Sequence, residues 1–193
     1  KASDGYISPE NYTVEGDWSN GAFFICADKI NSNSVKCISL TDNSIQGDKA
    51  VSELVEKMAG AYDNEEINID SAHIPDLIPI LATTACFRKG KTVFSNAARL
   101  RIKESDRGQV MHEELSKLGG GLVFGDNIIT VPKQKLSYTG EILNGHGDHR
   151  IVMAMSVILS KIGGSIQGAE AIRKSYPGFF EDIKRLGAEV ILL

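Results

Sequence analysis

The nine residues 99–107, "RLRIKESDR", place four cations and two carboxylates at the entrance to one amphipathic segment. The formal net charge of the chain is −4, so this local excess of positive charge needs a chemical explanation. Arginine forms two parallel hydrogen bonds to a carboxylate or phosphate group. Glu104, between Lys103 and Arg107, is a candidate for proton transfer because adjacent positive charge stabilises its ionised form. The stretch is either a solvated helix start or a site that binds an anion and moves a proton.

Two further cations, Arg150 and Lys174, stand at other predicted helix starts. Helix N-termini carry free N–H groups and partial positive charge, so helix starts that meet at one end of a domain form an anion site. Together with Arg107, these cations suit a small and highly charged ligand such as a phosphorylated carboxylate. Asp76 either caps its helix or serves as a base for a substrate hydroxyl. His149 is a weaker acid–base candidate because the adjacent arginine disfavours its charged form.

The elements that position these residues follow a repeated order. Three apolar segments with helical character each begin with Gly or Pro and then Asp, and we predict that the aspartate is the N-cap. Each helix leads into a short predicted strand. The three aspartates are Asp17, Asp76 and Asp148, and the three strands lie around Val35, Val93 and Ile166.

A second helix follows in each unit, because apolar residues recur at helical spacing over residues 51–58, 111–118 and 179–186. Each of these helices ends in a glycine-containing stretch, "MAGAY", "LGGGLVF" or "LGAEV", where glycine suits a left-handed C-cap. The first two units then continue into predicted hairpins at residues 61–69 and 122–131. The third unit ends at Leu193 in its first strand.

The pattern predicts an α/β (α+β) fold of three helix–strand–helix–strand–strand units, at about residues 14–70, 71–132 and 144–193. Each unit alone has too little apolar surface for its own core. We therefore expect a single domain over residues 1–193, with buried helices and outer sheets related by an approximate threefold axis.

Composition and cysteine usage narrow the class of protein. The hydrophobic content of 42% and charged content of 24% are ordinary for a globular domain, and the mild acidity excludes a general nucleic-acid binder. The longest apolar run, residues 151–159, is far shorter than the roughly 20 residues of a membrane helix. The cysteines lack metal-ligand spacing and the first residues lack a signal-peptide pattern, so we expect a cytoplasmic protein with free thiols and no metal.

The stretch "RLRIKESDR", followed by "GHGDHRIVMA", resembles the signature pair of the 5-enolpyruvylshikimate-3-phosphate synthases, the 3-phosphoshikimate 1-carboxyvinyltransferases. The similarity continues through "VEGDWSNGAFF", "HIPDLIPILATTACFRKGKT" and "RKSYPGFFEDIKRLGA", and it covers essentially the whole chain in order. The resemblance implies one domain of the enolpyruvyl transferase fold, which has two domains of threefold-repeated helix–sheet units. The chain is similar to the C-terminal half of such an enzyme.

The resemblance also implies a reaction. Family members transfer the enolpyruvyl group of phosphoenolpyruvate to the 5-hydroxyl of shikimate 3-phosphate and release phosphate, in the shikimate pathway to chorismate and the aromatic amino acids. No metal or organic cofactor is implied, and neither a nucleic acid nor a membrane. The implied partners are the two substrates and the missing N-terminal half, which supplies the other wall of the cleft. We therefore expect the chain alone to fold but to be inactive.

The same resemblance implies roles for six residues. Asp76 matches the carboxylate that holds the 5-hydroxyl and accepts its proton, and Lys103 matches a contact to shikimate 3-phosphate. Glu104 matches a carboxylate that moves a proton at the enolpyruvyl carbon. Some members have Asn at the position of Arg99, and that Asn contacts the substrate. We do not assign this contact to Arg99. The cations that match phosphoenolpyruvate ligands are Arg107, Arg150 and Lys174.

Two alternatives remain open from the sequence. One is the related enolpyruvyl transferase that acts on UDP-N-acetylglucosamine, which shares the fold and the chemistry. The other is a catalytically silent anion-binding domain, which would bind phosphate without turnover even with the other half present.

Overall fold

The computed structural model describes residue 5 and residues 11–32 and 34–192. Within these residues the helices are α1 (Trp18–Asn31), α2 (Val51–Gly60), α3 (Ile78–Ala85), α4 (Arg107–Ser116), α5 (His149–Ile162) and α6 (Phe179–Arg185). The strands are β1 (Ile67–Asp70), β2 (Thr92–Ser95), β3 (Val123–Phe124), β4 (Ile128–Val131), β5 (Ile142–Asn144) and β6 (Ser165–Gln167). Short 3-10 helices at Gly47–Ala50, Ala98–Ile102 and Ala169–Lys174 lie ahead of α2, α4 and α6.

Helices α1, α3 and α5 pack against one another and form the centre of the core. Every residue of α3 is buried, as are residues 149–158 of α5. A helix that is apolar on all sides lies inside a domain, because no face of it is suited to water. The rings of Phe23 and Phe179 meet edge to face at 6.3 Å and join α6 to this centre. None of the helices in the described ranges is long and apolar enough to span a membrane.

The sheets cover the helices from outside. Strands β1, β2, β4 and β3 form one sheet in that order, with β1 and β2 parallel and the other pairs antiparallel. Ile67 and Ile69 of β1 are buried whereas Asn68 and Asp70 are exposed, so one face of the sheet packs on the core and the other meets water. Strands β5 and β6 form a second, parallel sheet. The predicted α/β architecture with buried helices and outer sheets is confirmed.

The threefold repeat of the element order is not confirmed. In the described part of the chain, the full helix–strand–helix–strand–strand order is found in the middle stretch, from α3 to β4. Residues 34–40 form no strand near Val35, whose N–H donates to Asp28 Oδ1 at 2.8 Å instead of to a neighbouring strand. Residues 188–192 also form no strand, and Leu193 lies outside the described residues. The division into units at 14–70, 71–132 and 144–193 stays a prediction.

The hairpin predicted at residues 61–69 is also wrong, whereas the one at 122–131 forms as β3 and β4. In the first stretch the Glu65 carboxylate accepts the N–H of Tyr62 at 2.8 Å, and Asn64 adopts a positive φ of 66°. The backbone N–H of Tyr62 is thus used within this turn and is not available to the first strand of the predicted hairpin. Strand β1 pairs instead with β2, in parallel.

In two of the three glycine-containing stretches that end the second helices, a glycine adopts the predicted left-handed conformation. Gly119 and Gly187 have φ values of 78° and 100°, the left-handed conformation of a C-cap. Gly60 is different, because it is the last residue of α2 and the chain leaves through extended Ala61. Here the side chain of Arg88 donates from Nε to the carbonyl oxygen of Met58 at 3.2 Å, so a side chain satisfies the helix end.

Candidate functional site

Of the three aspartates at the starts of the predicted first helices, Asp17, Asp76 and Asp148, two are N-caps of their helices. Asp17 accepts the backbone N–H of Ser19 at 2.8 Å at the start of α1, and Asp148 accepts that of Arg150 at 2.9 Å at the start of α5. Of the two alternatives that the sequence left open for Asp76, the helix cap is wrong. Helix α3 begins two residues later and its N-cap is Leu77, where no side chain of the described residues makes a capping hydrogen bond. The Asp76 carboxylate is engaged by cations instead.

Arg107, the first residue of α4, is the centre of that cluster. Its guanidinium Nε donates to Asp148 Oδ2 at 2.8 Å, and its Nη1 donates to Asp76 Oδ1 at 2.8 Å. Its Nη2 donates to Glu104 Oε2 at 2.6 Å and to Asp148 Oδ1 at 3.3 Å. A guanidinium has five N–H donors in a fixed fork, and four of these are directed at three carboxylates. One side chain therefore ties together α4, the start of α5 and the segment before α3.

The members of this cluster differ in their access to solvent. The side chains of Arg107 and Asp148 are completely buried, at 0% exposure. Asp76 and Glu104 are 33% and 39% exposed, and Lys103, whose Nζ lies 2.9 Å from Asp76 Oδ1, is 21% exposed. The buried pair therefore forms a floor, and the other three side chains form a rim that a ligand can reach.

Arg150 connects this rim to α1. Its Nη2 donates to Ser19 Oγ at 2.7 Å, and its Nη1 donates to the carbonyl oxygen of Asp76 at 3.2 Å. Its Nε lies 3.7 Å from Asp76 Oδ1. The structure thus brings the starts of α1, α4 and α5 and the segment before α3 to one end of the molecule. Five of the predicted site residues meet there: Asp76, Lys103, Glu104, Arg107 and Arg150.

Lys174, the sixth predicted site residue, lies next to this cluster without contacting its carboxylates. Its Nζ donates to the carbonyl oxygen of Gly147 at 2.8 Å, in the turn just before Asp148. Lys174 is exposed and is held at the end of the 3-10 helix Ala169–Lys174. Arg99 points elsewhere, with Nη1 3.4 Å from the carbonyl oxygen of Ala72.

Two carboxylates of the cluster, Asp148 and Asp76, are held in the ionised form. Burial by itself raises the pKa of Asp148, but the hydrogen bonds and charge of Arg107 outweigh it and the pKa lies below its usual range. Burial likewise opposes ionisation of Asp76, and the charges of Arg150 and Lys103 hold its pKa below the usual value. Asp76 is therefore an ionised acceptor at neutral pH, exposed to a ligand at the rim.

Two titratable groups of the site have unusual surroundings. Burial, aided by the charge of Arg150, lowers the pKa of His149, so the imidazole is neutral at pH 7. Its Nδ1 has no hydrogen-bond partner among the described residues and lies 3.9 Å from Glu104 Oε1. Asp48, in the 3-10 helix before α2, was not among the predicted site residues. Its pKa is raised, first by burial and further by the charges of Asp76 and Asp17, although Ser19 and Arg150 oppose the shift.

This arrangement can hold an anion and accept a proton. Lys103, Arg150 and Lys174 offer cationic donors from three segments of the chain, and Asp76 offers an ionised oxygen beside them. A ligand hydroxyl placed at Asp76 would meet a hydrogen-bond acceptor already ionised for proton transfer. Glu104 stands 2.6 Å from Arg107 and opens to solvent, so it can exchange a proton with a bound group.

Comparisons with known proteins agree on one family. The family model described as EPSP synthase (3-phosphoshikimate 1-carboxyvinyltransferase) matches residues 4–183. A 3-phosphoshikimate 1-carboxyvinyltransferase of Clostridium acetobutylicum is 41% identical over an alignment that covers 93% of this chain and 44% of that protein. A 3-phosphoshikimate 1-carboxyvinyltransferase of Methanococcus vannielii is 34% identical over an alignment that covers 94% of this chain and 46% of that protein. The chain spans about half the length of the curated relatives it matches.

Solved structures give the same result. An EPSP synthase from Acinetobacter baumannii superposes with a TM-score of 0.74 and 27% identity, over 91% of this chain and 46% of that one. The enolpyruvyl transferase NikO from Streptomyces tendae shares the fold, with a TM-score of 0.63 at 17% identity over 92% of this chain and 44% of that one. The family model, the curated relatives and the Acinetobacter baumannii structure favour the shikimate-type family over the nucleotide-sugar transferase that the sequence left open.

Proposed function

Since the chain belongs to the EPSP synthase (3-phosphoshikimate 1-carboxyvinyltransferase) family, we propose that it forms one wall of the active site of such an enzyme. The proposed reaction transfers the enolpyruvyl group of phosphoenolpyruvate to the 5-hydroxyl of shikimate 3-phosphate. One observation carries the proposal: Asp76, an ionised and solvent-reachable carboxylate, lies within 2.9 Å of both Lys103 and Arg107. This places a proton acceptor among cations that suit two anionic substrates.

In the proposed addition step, the 5-hydroxyl oxygen bonds to C2 of phosphoenolpyruvate while the methylene carbon gains a proton. Asp76 takes the hydroxyl proton, and Glu104 supplies the proton to carbon. In the elimination step, the C–O bond to phosphate breaks with its electron pair going to the phosphate oxygen, and the methyl group returns a proton to Glu104. The proton that Asp76 holds passes to the departing phosphate, which regenerates the Asp76 carboxylate. Lys103 contacts shikimate 3-phosphate, and its ammonium also stabilises the charge that Asp76 carries.

Arg150, Lys174 and Arg107 are the proposed ligands of phosphoenolpyruvate. Arg150 and Lys174 have donors directed at neutral oxygens, of Ser19 and Gly147, which a substrate anion can replace. Arg107 is different because it is fully buried and retains one N–H beyond the four already in use. For Arg107 to contact substrate, Asp76 or Glu104 has to move aside.

The proposal places the second wall of the cleft in the other half of the family's fold. Two anionic reactants have to be held together in a water-poor space, since screening by solvent weakens charges on an open surface. We therefore expect phosphate release and product formation when the chain is joined to that other half. The chain alone should bind phosphate-bearing ligands weakly and in a salt-sensitive manner, without turnover.

The test is an assay of phosphate release and product mass for the chain alone, for the joined protein, and for its Asp76→Asn variant. We expect the joined protein to be active and the variant to lose about 100-fold or more in kcat. The matched control is Asp63→Asn, which changes an exposed aspartate in the turn before β1 that is paired with Lys89. Binding without turnover in the joined wild type would instead identify a silent anion-binding domain. Turnover by the chain alone would show that one wall is sufficient.

A further inference from the structure

A second buried charge, Glu114, lies two turns after Arg107 on the same helix. Its carboxylate is 1% exposed and receives donors from three residues. Oε1 lies 2.8 Å from His146 Nε2, Oε2 accepts the backbone N–H of Asn144 at 2.8 Å, and Lys117 Nζ lies 2.9 Å from both oxygens. Nothing in the proposed reaction uses this carboxylate.

The groups that Glu114 holds belong to one tight turn. The N–H of Asp148 donates to the carbonyl oxygen of Gly145 at 2.9 Å, and the two residues between them both have positive φ, 50° for His146 and 65° for Gly147. This is the pattern of a type I′ turn, which glycine and asparagine normally occupy. A histidine in the left-handed conformation is strained, and such strain persists where the surroundings impose it. Here the imposing contact is the bond from His146 to Glu114.

The turn leads directly into the proposed site. The residue that closes it, Asp148, is the buried partner of Arg107, and Arg150 follows two positions later. Lys174 is also attached, through the carbonyl oxygen of Gly147. The turn packs closely on α5, because a Cβ on Gly145 would lie only 2.3 Å from Val152 Cγ2. Helix α4 therefore contacts the turn at two points, through the hydrogen bonds of Arg107 to Asp148 and of Glu114 to His146.

We infer that Glu114 and His146 are positioning residues, which fix the turn that places Arg150 and Lys174 for the phosphoenolpyruvate-binding side of the site. This inference rests on the proposed function for its substrate. Neither side chain touches the reacting groups. Their effect is transmitted through the backbone of residues 144–148, whose hydrogen bonds they hold.

The kinetic test compares Glu114→Gln and His146→Asn in the joined protein. Glutamine keeps one acceptor and loses the charge, and asparagine tolerates the left-handed conformation while it removes the imidazole. We expect KM for phosphoenolpyruvate to rise about tenfold in Glu114→Gln, below the ~100-fold that a 1 Å misplacement can cost. KM for shikimate 3-phosphate, bound through Lys103 and Asp76, should change less than twofold.

The control is Glu113→Gln, which changes the neighbouring glutamate, exposed and bonded to Gln109 Nε2 at 2.7 Å. It should leave both KM values unchanged. An equal rise of both KM values in Glu114→Gln, or no rise in either, would overturn the inference. A mere loss of stability lowers the active fraction and hence kcat, so it cannot produce a selective rise in one KM.

A second measurement separates this inference from the proposed function. In the purified chain, nitrogen NMR of the His146 ring and the backbone amide signals of residues 148–150 report the turn without any catalysis. We expect Glu114→Gln to shift both sets of signals, and Glu113→Gln to shift neither. An inactive wild type with the expected shifts refutes the proposed function but supports the positioning. Unchanged signals at residues 148–150 refute the positioning even if the enzyme is active.

Discussion

Arg107 and Glu114 are two buried charges on one helix, and they are neutralised in different ways. Arg107 meets three carboxylates from separate segments, and two of those, Asp76 and Glu104, reach solvent. Glu114 meets one lysine on its own helix, one imidazole and one backbone N–H. Burial opposes the charge in both cases, and in both cases the partners outweigh it, so the pKa of Arg107 is raised and that of Glu114 is lowered.

The difference shows that a buried charge can take part in ligand binding or can only fix the geometry of the fold. A buried cation whose partners stand at an open rim can share those partners with a ligand, so its neutralisation and substrate binding are linked. A buried anion whose partners are a turn and its own helix has nothing to exchange. It fixes geometry, and its removal changes the shape of the site and not its charge.

The largest expected effect comes from Arg107→Met, which sharpens the first half of this contrast. Without the guanidinium, Asp148 is left as a buried and unpaired charge, and breaking such a pair costs about 3–5 kcal/mol of unfolding free energy. Urea unfolding measures this loss. The control is Arg101→Met, which removes an exposed arginine 3.6 Å from Asp126 and should cost less than about 1 kcal/mol. Similar losses in both variants would contradict the central role of Arg107.

The second prediction concerns acid. The pKa values of Asp148, Asp76 and Glu114 are all held below their usual range in the folded state. Their contribution to stability is therefore fully present above the unfolded pKa values of about 4 and is lost as pH falls through the folded ones. We expect the unfolding free energy to fall gently below about pH 6.5, where His149 takes up a proton in the unfolded chain but not in the folded one, and to fall steeply below about pH 4.

Asp148→Asn tests which of the two buried charges dominates that loss. The variant should be less stable than the wild type at pH 7, and the difference should shrink as pH falls. Glu114→Gln should show the same sign with a smaller difference at pH 7, since Lys117 is partly exposed and can turn to water. A larger acid dependence on Glu114 than on Asp148 would reverse the comparison.

The smallest expected effect has the opposite sign. The pKa of Asp48 is raised, chiefly by burial and also by the neighbouring Asp76 and Asp17 carboxylates, so its ionisation on going to pH 7 disfavours the folded state. Asp48→Asn should stabilise the chain by about 0.5 kcal/mol at pH 7, or roughly 1–2 °C in Tm. The gain should disappear below about pH 4, where the carboxyl is protonated in both states. Thermal unfolding at pH 7 and pH 4 measures it, and a loss of stability at pH 7 would contradict it.

Sequence reasoning succeeded where the signal is local. The N-caps Asp17 and Asp148 and the glycine stops at 119 and 187 depend on neighbours within a few positions, so spacing alone predicted them. Local spacing could not decide between a cap and a base at Asp76, because the ion pairs of its carboxylate with Lys103 and Arg107 join residues about thirty positions apart. The same holds for the strand expected near Val35, where a single contact from Asp28 replaces strand pairing.

The site was predicted in part for the same reason. The charge density of residues 99–107 and the resemblance to a known family pointed to five side chains that the structure brings together. Asp148 was interpreted only as a cap, since its bond to Arg107 joins residues 41 positions apart. Glu114 offered a single local signal, the pairing with Lys117 three residues on, and that spacing is common on exposed helices. The contacts of Glu114 with Asn144 and His146 form only in the folded turn, so the sequence could not show them.

The bond between Arg150 and Ser19 has a consequence for the time course of folding. It joins residues 131 positions apart, whereas Arg107 and Glu104 are three apart. Contacts with such long sequence separation close the largest loops and are slow to form. The local charge pairs of α4 can form early in a refolding chain, while the junction of α1 with α5 completes the rim of the site late. Recovery of ligand binding should therefore lag behind the return of helical signal, and the lag reports the closure of this one long loop.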